Sequence, residues 1–310
     1  MSAKSAYLSP CLDQPDRRPR LALLIAALVL AAAPGAQACA LALAGDPGTV
    51  IIDYNPFASG PSTGALDLKF KNQGGADCDL RLTLTSENGA IADDLSLGGV
   101  GIRLRPRELS GLRASDVKPG AFIFLVPKDS TAEAQFDAAI TADAVPEAGT
   151  YTSDLKLLVE DVDGNTLLPS IPIRVQLVST PRAQLNLAGA AGVFGSGSSV
   201  EVVDFGEAVT GATRNIFVQV RANAPSTLTI KSQHGGIMRR LGDVVTDSTV
   251  PYAIELEGAP IDLADTWSRA IDPPRTLAGA SLPMLFKLGT VTGQMAGRYQ
   301  DVVTIDISPN

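Results

Sequence analysis

The side chains that could do chemistry are few, and their spacing argues against it. His234 is the only histidine in 310 residues. It stands two residues from Ser232 and beside Gly235-Gly236, without a serine elbow, whereas a serine nucleophile needs an oriented base. That context predicts a turn histidine. Asp161-x-Asp163-Gly164-Asn165 opens like a calcium loop. Such a loop needs glycine sixth and a carboxylate twelfth, where Thr166 and Pro172 stand, so a hairpin turn accounts for it better. Gly195-Ser196-Gly197-Ser198-Ser199 has neither the lysine nor the strand–loop–helix setting of a phosphate loop. Asp93-Asp94 reads as a solvated turn. Trp267, the sole tryptophan, is expected to anchor its loop or to meet a partner. One histidine and three cysteines are too few soft ligands for a metal site. No enzymatic activity, metal or cofactor is expected.

The N-terminal residues set the compartment. Arg17, Arg18 and Arg20 precede an apolar run from Leu21 to Ala33, which Pro34 and Gly35 break. Ala36-Gln37-Ala38 then supplies a small-x-small cleavage pattern, so 1–38 reads as a signal peptide for export through the inner membrane. The run is shorter than the about 20 residues of a bilayer span, and no membrane span is expected in the mature chain. Cys11 leaves with the signal. Cys39 and Cys78 remain, and two thiols in an oxidising compartment are expected to form one disulfide. A formal net charge of −8 disfavours nucleic acid and anionic membrane surfaces as partners.

The elements that would position any site are strands. Leu66, Leu68 and Phe70 alternate with charged residues, as do Leu80, Leu82 and Leu84 with Arg81 and Thr83. Ile171, Ile173, Val175 and Leu177 follow the same period, and so do Ile216, Val218 and Val220, then Val303, Ile305 and Ile307. Each such segment offers one apolar face to a core. Asn88-Gly89, Asp163-Gly164 and Gly235-Gly236 supply turns between them. The fold class is all-β, with β-sandwiches.

The chain also repeats itself at an offset near 150 residues. Ala148-Gly149-Thr150-Tyr151 is echoed by Ala296-Gly297-Arg298-Tyr299, and Asp53-Tyr54 by Asp204-Phe205. Two tandem immunoglobulin-like sandwiches follow, 39–180 and 181–310, in which the Gly-x-Tyr tyrosines tie a connection to the next strand. In the first repeat the strand after Tyr151 turns at Asp163-Gly164 and returns as Ile171–Val178. In the second, the strand after Tyr299 runs through Ile307 and no returning strand follows. Such a sandwich exposes unpaired backbone and an apolar groove, which a strand from another chain would fill. Leu185, Leu187, Val303, Ile305 and Ile307 are the expected groove residues. The alternative is a six-stranded sandwich with a blunted edge.

The closing segment, Ala296-Gly-Arg-Tyr-Gln-Asp-Val-Val-Thr-Ile-Asp-Ile-Ser308, resembles the end of spore coat protein U domains. Val203-Asp-Phe-Gly-Glu207 and Arg221-Ala-Asn-Ala-Pro225 resemble that family too, and the first repeat does so more loosely through Cys39, Asp53-Tyr-Asn-Pro-Phe57 and Cys78. The second repeat departs in lacking cysteines, and Asp262 to Gly279 reads as an unmatched insertion. The resemblance implies a subunit of archaic chaperone–usher pili. Its missing strand would come first from a periplasmic chaperone, at an outer-membrane usher, and then from a neighbouring pilin. Shaft subunits carry an N-terminal donor extension, whereas here Cys39 already opens the first strand, so a tip adhesin is the implied place.

The leading reading is therefore a secreted pilus tip subunit at the cell surface. It would dock through its second sandwich and attach to surfaces, supporting biofilm formation, through its first. Leu95, Leu97, Val100 and Ile102, set among glycines, are the expected adhesive loop, and apolar surfaces its target; the alternative for them is a buried strand edge. The rival functions are a monomeric ligand-binding module of the envelope and a periplasmic assembly chaperone.

Overall fold

The computed structural model describes residues 39–92, 94–195, 197–242 and 248–310, and residues 39–310 belong to one compact unit. Residues 1–38, on which the expected signal peptide and Cys11 fall, lie outside the described residues, as do Asp93 and Ser196. Every regular element among the described residues is a strand. The first half contains β1 (Leu41–Leu43), β2 (Thr49–Tyr54), β3 (Thr63–Asn72), β4 (Cys78–Ser86), β5 (Leu95–Leu97), β6 (Val100–Pro106), β7 (Arg113–Ala114), β8 (Ala121–Val126), β9 (Thr131–Ala142), β10 (Gly149–Asp161) and β11 (Thr166–Ser179). The second contains β12 (Ala183–Ala188), β13 (Thr213–Ala222), β14 (Ser226–Ser232), β15 (Ile237–Arg240), β16 (Thr249–Leu256), β17 (Ala259–Ile261), β18 (Trp267–Ile271), β19 (Ala280–Leu288), β20 (Tyr299–Gln300) and β21 (Val303–Pro309). No described helix is long and apolar enough to cross a membrane.

Each half encloses one core between two sheets. In the first, sheet β1-β3-β9-β6-β5 faces sheet β2-β11-β10-β4-β8-β7. The alternation in β3 and β2 puts every second side chain inside, where Phe70, Phe136, Leu68 and Ile52 are wholly buried. Gly64 is required where β3 crosses β2: a Cβ there would lie 2.9 Å from Ile51 O and from the Val50 and Ile52 side chains. Cys39 and Cys78 form the expected disulfide across 39 residues, fastening the segment that leads into β1 to β4. Closing such a loop stabilises by roughly 3–4 kcal/mol.

In the second half, β12-β13-β19-β16-β15-β20 faces β18-β14-β21, with β17 paired to β16. Much of the arrangement repeats: β12, β13, β19 and β16 take the places of β1, β3, β9 and β6, while β18, β14 and β21 take those of β8, β4 and β10. Asp262 to Gly279 is thus no insertion. Its centre is β18, which pairs with β14 from Trp267 opposite Ile230 to Ile271 opposite Ser226, and Trp267 packs on the second core. The weak period-two signal of β18 hid it in the sequence.

The expected adhesive loop is also corrected. Leu97, Val100 and Ile102 are buried and Leu95 is half-buried, all packed in the first core. β6 lies between β5 and β9, so its apolar face points into the sandwich and presents nothing to a surface.

Both Gly-x-Tyr corners form. Tyr151 Oη donates to Glu147 O at 2.9 Å, and Tyr299 Oη to Met295 O at 2.7 Å. Between the halves, Asn223 Nδ2 donates to Ser179 Oγ and Thr180 O, both at 3.0 Å, while Arg182 N donates to Asn223 Oδ1 at 2.7 Å. The Arg221 guanidinium stacks on Phe57 from the first half (4.7 Å) and Phe194 from the second (4.1 Å).

Candidate functional site

β11 is the strand that completes the first core. It runs antiparallel to β10 on one side and parallel to β2 on the other. Its Ile171, Ile173, Val175 and Leu177 are buried. The second half has β21 in the place of β10, residues 200–205 in the place of β2 and, among the described residues, no strand between them. β21 pairs with β14 along one edge, in the register that β10 keeps with β4: Val303 opposite Ser232 matches Leu155 opposite Ser86. Its other edge is unpaired. Across the gap, residues 200–205 form no strand, although Asp204-Phe205 stands where Asp53-Tyr54 ends β2. The segment has β2's alternation but no neighbour to pair with.

The result is a groove of about 700 Å³ between β21 and residues 200–205, with Leu185, Leu187, Ile216, Met238 and Phe286 among its walls. Burial measures the vacancy. Leu155, Leu157 and Val159 are 0–1 % exposed, whereas their counterparts Val303, Ile305 and Ile307 are only half-buried. Ile52 and Tyr54 are buried, but their counterparts Val203 and Phe205 are only half-buried. Of the five expected groove residues, Leu185, Leu187, Val303 and Ile305 line it, and Ile307 continues the same face of β21. The opposite wall, Val203 and Phe205, was missed; the echo of Asp53-Tyr54 could have found it.

One end of the groove is polar. Asp301, whose side chain is 2 % exposed, accepts hydrogen bonds from Ser232 Oγ and Tyr252 Oη at Oδ2, each 2.6 Å, and meets His234 Nδ1 at Oδ1, 2.7 Å. Burial pushes its pKa up, but the hydrogen bonds of Ser232, Tyr252, the Val302 amide and His234 outweigh that and hold it below the usual carboxylate range. An ionised carboxylate only accepts, so His234 Nδ1 carries the proton. Burial, reinforced by Asp301, raises the Tyr252 phenol well above its ordinary value. This is not a hydrolase triad. The Ser232 hydroxyl accepts from Gly236 N at 2.8 Å and gives its proton to the carboxylate, so the imidazole does not serve it as a base. Among the described residues no three His, Cys, Asp or Glu side chains gather as a metal site.

No family model and no curated protein matches this chain. Its fold is similar to that in solved structures of pilus subunits. A chaperone–tip adhesion subunit pre-assembly complex of archaic Csu pili from Acinetobacter baumannii matches with 10 % identity, over 86 % of this chain and 99 % of that one, at a TM-score of 0.43. The CupB6 tip adhesin of Pseudomonas aeruginosa matches with 12 % identity over 87 % and 94 %, at 0.35. The adhesive subunit CfaE of the enterotoxigenic Escherichia coli CFA/I fimbria matches with 14 % identity over 87 % and 78 %, at 0.33. Likenesses this distant transfer no role; the groove has to supply one.

Proposed function

We propose that this chain is a strand-accepting subunit of a surface fibre, exported and assembled with the help of a periplasmic chaperone and an outer-membrane usher. The observation that carries the reading is the unpaired pair of edges, β21 and residues 200–205, flanking an apolar groove where the first half has β11. A strand donated by another chain, the chaperone and then a neighbouring pilin, would run antiparallel to β21 and parallel to 200–205, as β11 runs to β10 and β2. Four alternating apolar side chains would then fill the places held in the first half by Ile171, Ile173, Val175 and Leu177.

The first sandwich, already complete, would be the part that meets the outside. β10 starts beside the second half, where Ala148 N donates to Asn223 O, and ends at the opposite pole. That pole carries the loop 107–120 and the hairpin 161–165, held together by Lys118 and Glu160 at 3.0 Å. Leu109, Val117 and Val162 stand exposed there, at 104 %, 81 % and 45 %. We infer an adhesive end for apolar surfaces, at a tip position.

The test restores the missing strand within the chain itself. A copy of residues 162–179, appended after Asn310, brings its own Asp163-Gly164 hairpin and the β11 side chains. The added ladder contributes about 1 kcal/mol per hydrogen bond and each buried aliphatic side chain roughly 1.5–3 kcal/mol. The melting transition of the second half should rise by about 10 °C or more. A melt unchanged by the appended strand would show a self-sufficient sandwich and favour a monomeric binding module.

A further inference from the structure

We infer that the strand accepted by the groove is uncharged and aliphatic at the outward-facing rung where β11 carries Arg174. The inference rests on strand acceptance and names the chemistry of the strand that is accepted.

The rung follows from the pairing of β21. In the first half Arg174 of β11 lies opposite Asp154 of β10 on the outer side of the sheet, and the two form a bidentate ion pair at 2.7 and 3.2 Å. Val303 opposite Ser232 repeats Leu155 opposite Ser86, so the preceding residue, Val302, takes the place of Asp154. Val302 is 50 % exposed, whereas Val303 beside it packs on the second core. The same outward alternation continues with Gln300 and Arg298 before Val302 and Thr304 after it, where β10 has Thr152, Thr150 and Lys156. None of these residues on the free edge of β21 is a carboxylate.

Nothing nearby replaces the lost partner. Asp301 precedes Val302 but is buried and committed to Ser232, Tyr252 and His234. On the facing segment Val200 and Val202 stand exposed on one side, while Glu201 alternates with them on the other, with Val203 and Phe205. A guanidinium set beside Val302 would give up part of its hydration and order its flexible stem without gaining a carboxylate. An aliphatic side chain on the same rung makes a cross-strand contact with Val302 and takes apolar area out of water. The rung therefore discriminates by what it withholds, and disfavours a basic strand that suits the first half. Since the inward face is apolar already, the accepted strand carries three consecutive apolar residues where β11 has Ile173-Arg174-Val175.

The appended-strand chain tests this directly. Two versions are compared, one with the β11 sequence unchanged and one in which the copy of Arg174 is replaced by Val. Trp267 is the only tryptophan and packs on the second core, so its fluorescence follows the melt of the second half. The Val version should melt about 2–4 °C higher. Valine also favours strands in general, so both versions are then placed in a chain carrying Val302→Asp, which restores the carboxylate of the first half. There the advantage of valine should vanish or reverse. If Val302→Asp folds poorly, Val302→Asn, an uncharged acceptor at the same exposed position, should narrow the difference. Equal melts in the unaltered chain, a higher melt with arginine there, or the same advantage for valine in every background would overturn the aliphatic rung while leaving strand acceptance intact. If neither appended strand raises the melt, strand acceptance itself fails and the rung fails with it.

Discussion

At the scale of single residues, the two halves solve one problem with different chemistry. The first fastens the start of its opening strand by the Cys39–Cys78 disulfide. The second lacks cysteines and uses Asn223, which holds Ser179, Thr180 and Arg182 through three hydrogen bonds. The disulfide was legible because the expected loss of residues 1–38 leaves only two thiols to pair. The Asp301 cluster was not, since its partners lie 49, 67 and 69 residues away and meet only when β14, β16 and the approach to β21 are assembled. Its depressed pKa has a signed consequence. A carboxylate whose folded pKa lies below its unfolded value, about 3.9, stabilises above that value and loses the contribution as pH falls through the folded pKa. Acidification from about pH 5 toward pH 3 should therefore lower the melting temperature of the second half. The exposed Asp154 and Asp161 are also held low, by Arg174 and by Asn165 respectively, so the whole chain will soften somewhat. Asp301→Asn isolates the buried contribution: its chain should melt lower than the parent at pH 7 and show a shallower acid dependence. Parallel pH profiles for the two would remove Asp301 from the account.

At the scale of elements, period two was a sound guide wherever one face was apolar and the other charged, as in β3, β11 and β21. It failed where glycines interrupt the pattern. Leu95, Leu97, Val100 and Ile102 fit an exposed loop and a buried strand edge equally well in one dimension. What decides between them is β9, which lies beside β6 and is forty residues further along only by its end. The structure therefore gives Val100 and Ile102 a stability role. Val100→Asp with Ile102→Asp places two unpaired charges in a dry core, each costing several kcal/mol against a domain stability of about 5–15 kcal/mol. The doubly substituted chain should lose the melting transition of the first half while keeping that of the second. Two intact transitions would mean that the segment lies outside the core. The absent counterpart of β11 was legible for the opposite reason: the repeat supplied an internal standard, and a strand present in one copy is conspicuous by its lack in the other.

At the scale of the whole molecule, the open groove belongs to the second half and the exposed apolar residues Leu109 and Val117 to the first. The junction is fastened by Asn223, by Arg221 between Phe57 and Phe194, and by Arg275 on Glu147 at 3.2 Å. The two halves thus meet through side-chain contacts as well as through the chain that connects them. On the proposed reading, contact with an apolar surface is made by the loop 107–120. Leu109 sits there fully exposed at φ +65°, a left-handed conformation that is strained for a branched residue, and Val117 is on the same loop. Neither side chain supports a core, so their replacement isolates adhesion from folding. The chain with Leu109→Asp and Val117→Asp should melt within about 2 °C of the parent, since exposed substitutions shift stability by roughly 0.5 kcal/mol or less. Its adsorption to a hydrophobic surface, followed by quartz microbalance, should fall several-fold, because charged groups on this loop must be dehydrated on contact. Adsorption to a hydrophilic surface should not fall in step. Unchanged adsorption to the hydrophobic surface, with the melt preserved, would place the adhesive face elsewhere on the first sandwich and leave the groove's role untouched.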